Sequence, residues 1–213
     1  MADIVIRHLG LTEWHQTYQQ MICFTNKRTK GTKDELWVTE HYPIYTLGLS
    51  QRNYNLNINN SENIPVAHSD RGGKVTYHGP GQVLLYTLID LYRRGISIKK
   101  WVYILEQITI DFLTTLELKP HRFSGRPGIY INKKKIAALG LRVRKGFCYH
   151  GLALNVEKDL HHFDCINPCG YTDMKVTSLN EYLCNKNSKK IDTDYCAQGL
   201  INELFRYLQE NNY

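Results

Sequence analysis

Cys169 stands in the setting that best suits chemistry, because Pro168 precedes it and Gly170 follows it. Flanking proline and glycine indicate an exposed, rigid turn rather than a core strand. A thiol in such a turn can act as a nucleophile when a nearby group lowers its pKa, since the thiolate is the reactive form. The sequence therefore offers Cys169 as a candidate for covalent catalysis.

A second candidate is Lys135, the last of three lysines that precede the apolar residues 136–139. The three lysines are most simply a solvated hairpin turn, but Lys135 stands where the apolar strand begins, and a lysine at that edge can turn inward. Beside a thiol, its ammonium would favour the thiolate and could also transfer a proton. From the residues alone, both interpretations of Lys135 stay open.

Two further segments have the composition of backbone that contacts a ligand. Residues 71–81 contain four glycines and a proline directly before a long apolar run. Glycine lets the backbone approach a ligand closely, although a tight loop explains the glycines equally well. Residues 148–156 form an apolar strand interrupted by small residues, which suits either the wall of a pocket or close packing against a helix.

Two histidines and two cysteines lie within residues 161–169, a composition that raises the question of zinc. The spacing of Cys165 and Cys169 is Cys-x3-Cys, and the adjacent His161 and His162 would rarely both reach one ion. We therefore expect no metal here, and no cofactor elsewhere.

The pattern of apolar residues predicts an α+β fold, with helices packed on a mixed or mostly antiparallel sheet. Thr12 is a good N-cap for the first helix, and Ser97 for the second. The run 83–91 is almost continuously apolar, which indicates a buried central strand. Strands are predicted at residues 3–7, 36–40, 44–47, 83–91, 128–132, 135–143 and 148–156, and helices at 12–28, 97–117 and 194–210.

Length and charge narrow the classes of protein. The 213 residues suit a single domain, 1–213, and carry a formal net charge of +7. Basic residues are scattered and form no nucleic-acid recognition motif, so we expect no nucleic-acid partner, and an acidic carrier protein fits the charge equally well. The sequence contains neither a long apolar segment nor a signal-peptide pattern, so we expect no membrane contact and a cytoplasmic location.

Three segments together resemble the bacterial lipoyl(octanoyl) transferase family. They are residues 69–82 (Ser-Asp-Arg-Gly-Gly-Lys-Val-Thr-Tyr-His-Gly-Pro-Gly-Gln), residues 150–155 (His-Gly-Leu-Ala-Leu-Asn) and residues 166–170 (Ile-Asn-Pro-Cys-Gly). The resemblance runs from about Asp34 into the last helix. It implies the catalytic fold shared with biotin and lipoate protein ligases, over roughly residues 31–210.

The resemblance also implies roles for individual residues. The acyl-thioester cysteine of the family corresponds to Cys169, and its activating lysine to Lys135. Position 138 is often serine in the family, so the alanine here puts a side-chain contact in doubt but not a backbone contact. The residues implied to contact substrate are Arg71, Gly72, Gly73, Lys74, Val75, Thr76, Tyr77, His78, Ala138, Leu139, Gly140, Gly151, Leu152 and Ala153, with His78 and His150 as wall or positioning residues.

The implied reaction is transfer of an octanoyl group from octanoyl-acyl carrier protein, through Cys169, to a lysine of a lipoyl domain. The acceptors would be the lipoyl domains of 2-oxoacid dehydrogenase complexes and the glycine cleavage H protein. Backbone N–H groups of the substrate-contacting strands could stabilise the oxyanion. An ATP-dependent lipoate or biotin ligase on the same fold is the alternative, but it would not need the cysteine and lysine together.

Overall fold

The residues that the structure describes form two sheets and four α-helices. A computed structural model describes residues 4–51, 62–157, 159–166, 175–185 and 190–213. Two short 3-10 helices lie at Leu49–Gln51 and His161–Cys165. The strands are β1 (Ile4–Thr12), β2 (Asp34–His41), β3 (Ile44–Leu47), β4 (Val66–His68), β5 (Val75–His78), β6 (Gln82–Asp90), β7 (His121–Phe123), β8 (Arg126–Ile131), β9 (Lys134–Arg144) and β10 (Phe147–Asn155), and the helices are α1 (Trp14–Lys27), α2 (Ile98–Thr115), α3 (Leu179–Asn185) and α4 (Thr193–Glu210).

The larger sheet has seven strands in the order β1-β2-β6-β10-β9-β8-β7. Only the pair β1 and β2 is parallel, and its register shifts between His8 and Gly10. At the other edge, the register of β7 against β8 shifts between His121 and Phe123. Both edges of this sheet therefore carry an irregularity. The smaller sheet, in the order β4-β3-β5, combines one parallel and one antiparallel pair.

Strand β6 is the centre of the core, and every one of its residues is buried. Alternate side chains point to opposite faces of a strand, so β6 contributes to two apolar clusters. Leu85 and Ile89 pack with helices α2 and α4, whereas Leu84 and Leu88 pack with Met21 of α1. Helices thus cover both faces of the sheet where β6 runs, which explains why the run 83–91 lacks polar alternation.

Most predicted elements are present, and the antiparallel pairing of β8, β9 and β10 is confirmed. Helix α2 begins after Ser97, whose side chain accepts a hydrogen bond from the Lys100 N–H at 3.2 Å, as predicted. The predicted cap at Thr12 is wrong: this residue is the last of β1, and Glu13 precedes the helix. Thr12 is held in the strand because it pairs with His41 of the neighbouring β2. No helix among the described residues is long and apolar enough to cross a membrane.

Candidate functional site

A mainly apolar cavity of about 360 Å³ lies where β5, β6, β9 and β10 meet the loop 71–74. Its volume is at the lower end of the range for small-molecule pockets, about 300–1,000 Å³. Its wall consists of Trp14, Arg71, Gly72, Gly73, Lys74, Val75, Thr76, His78, Gln82, Leu84, Tyr86, Ile98, Val102, Pro127, Lys135, Ala138, Leu139, Gly140, Leu141, His150, Gly151, Leu152, Ala153, Asn155, Phe163 and Val176.

The structure brings together the three stretches that the resemblance implies to contact substrate, residues 71–78, 138–140 and 151–153. Every predicted substrate-contacting residue lines the cavity except Tyr77. Side chains alternate along β5, so Thr76 and His78 face the cavity while Tyr77 packs with aromatic residues behind it. The Tyr77 ring lies 5.6 Å from that of Tyr45 and 4.6 Å from that of His162, measured between ring centroids. The expected contact of the Tyr77 side chain with substrate is therefore not supported by its position.

The loop 71–74 is fixed on two sides by backbone hydrogen bonds. On one side, the N–H of Leu49 donates to Arg71 O at 3.0 Å, and the N–H of Ser50 donates to Gly73 O at 3.1 Å. On the other side, the Gly72 N–H donates to Leu141 O of β9 at 2.9 Å. Gly73 has φ +85°, a conformation that side chains disfavour. The glycines therefore serve the turn itself and also form a rigid wall of the cavity.

The Arg71 side chain is buried beneath this loop. Its Nη2 donates to the carbonyl oxygen of Thr46 at 2.7 Å and to the Thr46 hydroxyl at 2.8 Å, and its Nη1 donates to Gly72 O at 3.1 Å. These bonds tie the loop to β3. The guanidinium supports the wall and adds positive charge to the cavity.

Lys135 is buried, with 5% of its surface exposed, whereas Lys133 is exposed. Of the two interpretations of Lys135, the inward orientation is the one observed. Its Nζ donates to Pro127 O at 3.0 Å and lies 5.2 Å from the centroid of the Tyr130 ring. A carbonyl oxygen and an aromatic face both attract a cation, so this corner of the cavity suits an ammonium.

The backbone of Lys135 holds the residues that follow 167–174. Its N–H donates to Lys175 O at 2.9 Å, and its carbonyl oxygen accepts from the Thr177 N–H at 2.9 Å, which makes a parallel bridge to Val176. Val176 lines the cavity. The chain that leaves the 167–174 segment is therefore fastened to the same residue whose side chain enters the cavity.

Cys169 itself lies outside the described residues. The described residues on either side of 167–174 both lead to the cavity. Phe163 on one side and Val176 on the other belong to its wall, and Ile166 is buried in the cluster that contains Phe163.

Neutral polar side chains line the wall formed by β5 and β6. The nitrogen Nδ1 of His78 lies 2.6 Å from Gln82 Oε1, Gln82 Nε2 donates to Asn155 Oδ1 at 2.8 Å, and Asn155 Nδ2 donates to Thr177 O at 3.0 Å. Burial, together with nearby positive groups, lowers the pKa of His78 to about 3. At neutral pH this imidazole is uncharged.

His150 is the second histidine of the cavity wall, and a carboxylate supports it. Its Nε2 lies 2.9 Å from Asp70 Oδ1, and Tyr149 also donates a hydrogen bond to Asp70. Burial lowers the pKa of His150 and outweighs the opposing effect of Asp70. Burial alone would raise the pKa of Asp70, but the bonds to His150 and Tyr149 hold it at about 2. This arrangement fixes an uncharged ring in the wall.

Several residues of the wall were missed by the sequence analysis. Leu84 and Tyr86 follow Gln82 at a spacing of two, so the alternation of β6 could have identified them. Ile98 and Val102 share one face of α2 at a spacing of four, which is also a readable signal. Nothing in the sequence around Pro127 indicates that this residue lines a cavity.

His161 and His162 belong to a group other than the one considered for zinc. Their ligand atoms and that of Glu62 lie within 4.8 Å of one another. Both ring nitrogens of His161 already face carboxylates, Nδ1 that of Asp159 and Nε2 that of Glu62 at 2.9 Å. These carboxylates raise the pKa of His161, as expected for an exposed ion pair.

Comparison with known proteins gives two kinds of match. The profile of the lipoyl protein ligase A/B catalytic domain family matches residues 14–205. A curated relative, the octanoyltransferase of Vesicomyosocius okutanii (strain HA), is 45% identical over 199 residues, which cover 93% of this chain and 97% of the relative.

Solved structures with low sequence identity share the fold. A bipartite lipoate protein ligase from Thermoplasma acidophilum superposes with a TM-score of 0.68 at 18% identity, covering 98% of this chain and 84% of that protein. The biotin protein ligase from Aquifex aeolicus superposes with a TM-score of 0.55 at 11% identity, covering 98% and 69%. The predicted α+β fold of the biotin and lipoate ligase type is confirmed.

Proposed function

The chain belongs to the octanoyltransferase family, within the lipoyl protein ligase A/B catalytic domains, and on that premise we propose that it transfers an octanoyl group through a thioester on Cys169, with Lys135 as the activating group. The donor is an acyl carrier protein and the acceptor is a lipoyl domain. The observation that carries the assignment of Lys135 is the position of its side chain, a buried ammonium at the end of an apolar cavity.

The reach of the chain supports the role of Cys169. It follows Ile166 by three positions in the sequence, and an extended chain spans at most about 3.3–3.6 Å per residue, or roughly 10 Å. Ile166 packs with Phe163, which is part of the cavity wall. This reach is compatible with a thiol at position 169 acting at the cavity, which supports the proposal.

In the first half-reaction, the Cys169 thiolate forms a bond to the thioester carbonyl carbon of the octanoyl carrier. The bond from that carbon to the phosphopantetheine sulfur breaks, and the leaving thiolate takes a proton from the Lys135 ammonium. A positive charge beside Cys169 favours its thiolate before this step. An octanoyl thioester on Cys169 and a neutral Lys135 amine result.

In the second half-reaction, the neutral ε-amine of the acceptor lysine attacks the thioester carbonyl carbon on Cys169. The carbon–sulfur bond breaks, an amide forms, and Lys135 accepts the proton that the new amide releases. Thiolate and ammonium are then restored. Conversion of a thioester to an amide is downhill, so the cycle requires no ATP.

The pairing of the strands limits which backbone groups can stabilise the oxyanion. The backbone amides of residues 151–153 are engaged in the sheet, because β10 pairs with β6 on one side and with β9 on the other. Beyond the end of β8, the outer edge of β9 faces the loop, where Leu141 O accepts from the Gly72 N–H. Backbone groups two residues apart point to the same edge of a strand, so we assign the oxyanion donor to the Leu139 N–H.

The specific partners are also part of the proposal. We expect octanoyl-acyl carrier protein as donor, and as acceptors the lipoyl domains of 2-oxoacid dehydrogenase complexes and the glycine cleavage H protein, in the cytoplasm. The excess of 27 basic over 20 acidic side chains supports acidic partners. An ATP-dependent ligase is not favoured, because the ligases compared above are distant in sequence.

The test is the intact mass of the purified chain after mixing with octanoyl-acyl carrier protein, without ATP. We expect a gain of one octanoyl group, lost in Cys169→Ala and retained in Cys165→Ala, a matched control only four residues away. If octanoyl transfer to a lipoyl domain instead requires free octanoate and ATP, and no mass gain occurs, the chain acts as a ligase and Cys169 has no role.

A further inference from the structure

Helix α2 places a carboxylate next to the corner of the cavity that holds Lys135. Glu106 lies in the middle of this helix and is buried, with 8% of its surface exposed. Its Oε1 accepts a hydrogen bond from the Gly128 N–H at 3.0 Å, and its Oε2 accepts one from Arg122 Nε at 2.9 Å. Both carboxylate oxygens are therefore engaged, one of them by the backbone of β8.

The peptide group that Glu106 binds is the same one that binds Lys135. The Gly128 N–H and the Pro127 carbonyl belong to one planar peptide unit. Its N–H end faces the Glu106 carboxylate, and its carbonyl end accepts from Lys135 Nζ at 3.0 Å. A negative charge at the N–H end fixes the direction of the peptide dipole so that the oxygen points at the ammonium. We propose that Glu106 is a positioning residue that holds Lys135 on its carbonyl acceptor, an inference that rests on the proposed function.

The local backbone supports this arrangement. Gly128 has φ +126°, and a Cβ on it would lie 2.7 Å from Ala137 O and 3.0 Å from Lys135 Cε. Residue 128 is therefore required to be glycine for the peptide to approach the lysine. Ile129 pairs with Ala137 and Tyr130 pairs with Lys135, so Ile136 is an extra residue in β9. Such a bulge re-aims the neighbouring side chain, and here it lies next to Lys135.

The Pro127 carbonyl oxygen and the Tyr130 ring are among the groups that face Lys135 Nζ, and Glu106 and Arg122 lie behind the peptide. Without the carboxylate, the peptide can rotate and the ammonium loses its fixed place in the cavity wall. The thiolate would then be less favoured, so the pKa of Cys169 should rise. The direct effect of removing a negative charge has the opposite sign, since it would lower the pKa of a nearby thiol.

The decisive variant is Glu106→Gln, which keeps the size of the side chain. An amide has a single oxygen, which cannot occupy the positions of both carboxylate oxygens, and it carries no negative charge to orient the peptide. Two controls accompany it. Asp111→Asn removes the same charge from the same helix, at a carboxylate that contacts Gln107 and Arg206. Arg122→Ala leaves Glu106 on the Gly128 N–H.

The measurement is the rate of Cys169 alkylation by iodoacetamide against pH, followed on the Cys169 peptide by mass spectrometry, with the melting temperature recorded in parallel. We expect the Glu106→Gln profile to move to higher pH by about half a unit or more, which is roughly a three-fold loss of thiolate below the pKa. The profiles of both controls should superimpose on that of the unmodified chain.

The outcomes separate this inference from the function on which it rests. A Glu106→Gln profile that is unchanged or moves to lower pH overturns the positioning role, even if Lys135→Met moves the profile to higher pH and the proposed function stands. An equal shift in Asp111→Asn would attribute the effect to helix charge and also overturn it. If the unmodified chain forms no octanoyl thioester, the proposed function fails first. If Glu106→Gln does not fold, the chemical shift of the Gly128 amide proton is measured instead. A chemical shift that changes in Glu106→Asp but not in Arg122→Ala supports the proposal. A chemical shift that is unchanged in Glu106→Asp overturns it.

Discussion

Two regions of the cavity treat ionisable groups in opposite ways. The lysine corner, formed by Pro127, Gly128, Tyr130 and Lys135, surrounds a buried ammonium with acceptors. The histidine wall, formed by His78 and His150 with His41 behind it against Tyr86, surrounds imidazoles with apolar groups and neutral hydrogen-bonding partners, apart from Asp70. Burial lowers the pKa of His41 to about 4 and, with help from nearby positive groups, that of His78 to about 3.

The difference shows that this fold buries a positive charge at one corner of the cavity and keeps the histidines of the other region neutral. A wall of neutral imidazoles can contact an acyl thioester without attracting the negative charge that develops on its carbonyl oxygen. In the proposed reaction, the lysine corner supplies the cation that favours the thiolate of Cys169. Because charges interact more strongly where water is excluded, one ammonium in this setting has more influence than several at the surface.

Removal of the ammonium should have the largest effect. We expect Lys135→Met to slow octanoylation of Cys169 about 10²-fold or more at neutral pH, the range for loss of a proton-transferring group. The defect should shrink above the pKa of a free thiol, because hydroxide then forms the thiolate. Single-turnover acylation followed by mass checks both.

The neighbouring lysine supplies the control for this variant. Lys134 is half-exposed and pairs with Glu181 at 2.8 Å, a type of contact that contributes about 0.2–1 kcal/mol. Lys134→Met should therefore acylate at nearly the normal rate. Equal losses in the two variants would mean that the inward position of Lys135 has no special role.

Acid should unfold the protein through the histidine wall. A buried histidine with a lowered pKa binds fewer protons when folded than when unfolded, where its pKa is about 6.5. Stability is then fully present above pH 6.5 and is lost as pH falls towards the folded pKa values of about 4 and 3. Between pH 7.5 and 5, each of His41 and His78 should cost about 2 kcal/mol, measured by urea unfolding.

Two variants sharpen the acid experiment. His41→Gln should remove about half of this pH dependence, whereas His68→Gln, at an exposed position, should leave it unchanged. Stability that stays constant from pH 7.5 to 5 would show that the imidazoles are not held neutral, and the contrast with the lysine corner would fail.

Added salt should have the smallest effect on the rate of acylation, because it screens only the charges outside the cavity. The net charge of +7 speeds encounter with an acidic carrier, and added salt screens it. Acylation by octanoyl-acyl carrier protein should fall at least a few-fold between about 50 and 500 mM salt. Acylation by octanoyl-pantetheine, which is uncharged, should hardly change. If the rate of acylation by octanoyl-acyl carrier protein does not depend on salt, the basic surface does not contribute to recognition of the carrier.

The sequence predicted those features that depend on local pattern. The continuous apolar run identified β6, and the spacing of Trp101, Ile104 and Leu105 identified α2. Two of the motifs, residues 69–82 and 150–155, identified segments that meet at the cavity. Those motifs are contiguous, so their resemblance to a family is readable without knowing how the chain folds.

Features that depend on distant contacts could not be predicted. Thr12 lies in β1 because of its pairing with His41, which is far along the chain. The side of β5 that Tyr77 occupies is set by packing against Tyr45 and His162. Glu106 is one of several polar residues of α2, and nothing nearby in sequence indicates that it contacts the peptide that holds Lys135.

The irregular edges of the seven-stranded sheet have a consequence for the protein at high concentration. An unpaired strand edge can recruit a strand of another molecule and start aggregation. Here the pairing register of β1 shifts between His8 and Gly10, and β7 spans only three residues and has a register shift as well. A second molecule therefore finds no long, flat edge on which to extend this sheet, and the crowded interior of a cell poses less risk of fibril growth.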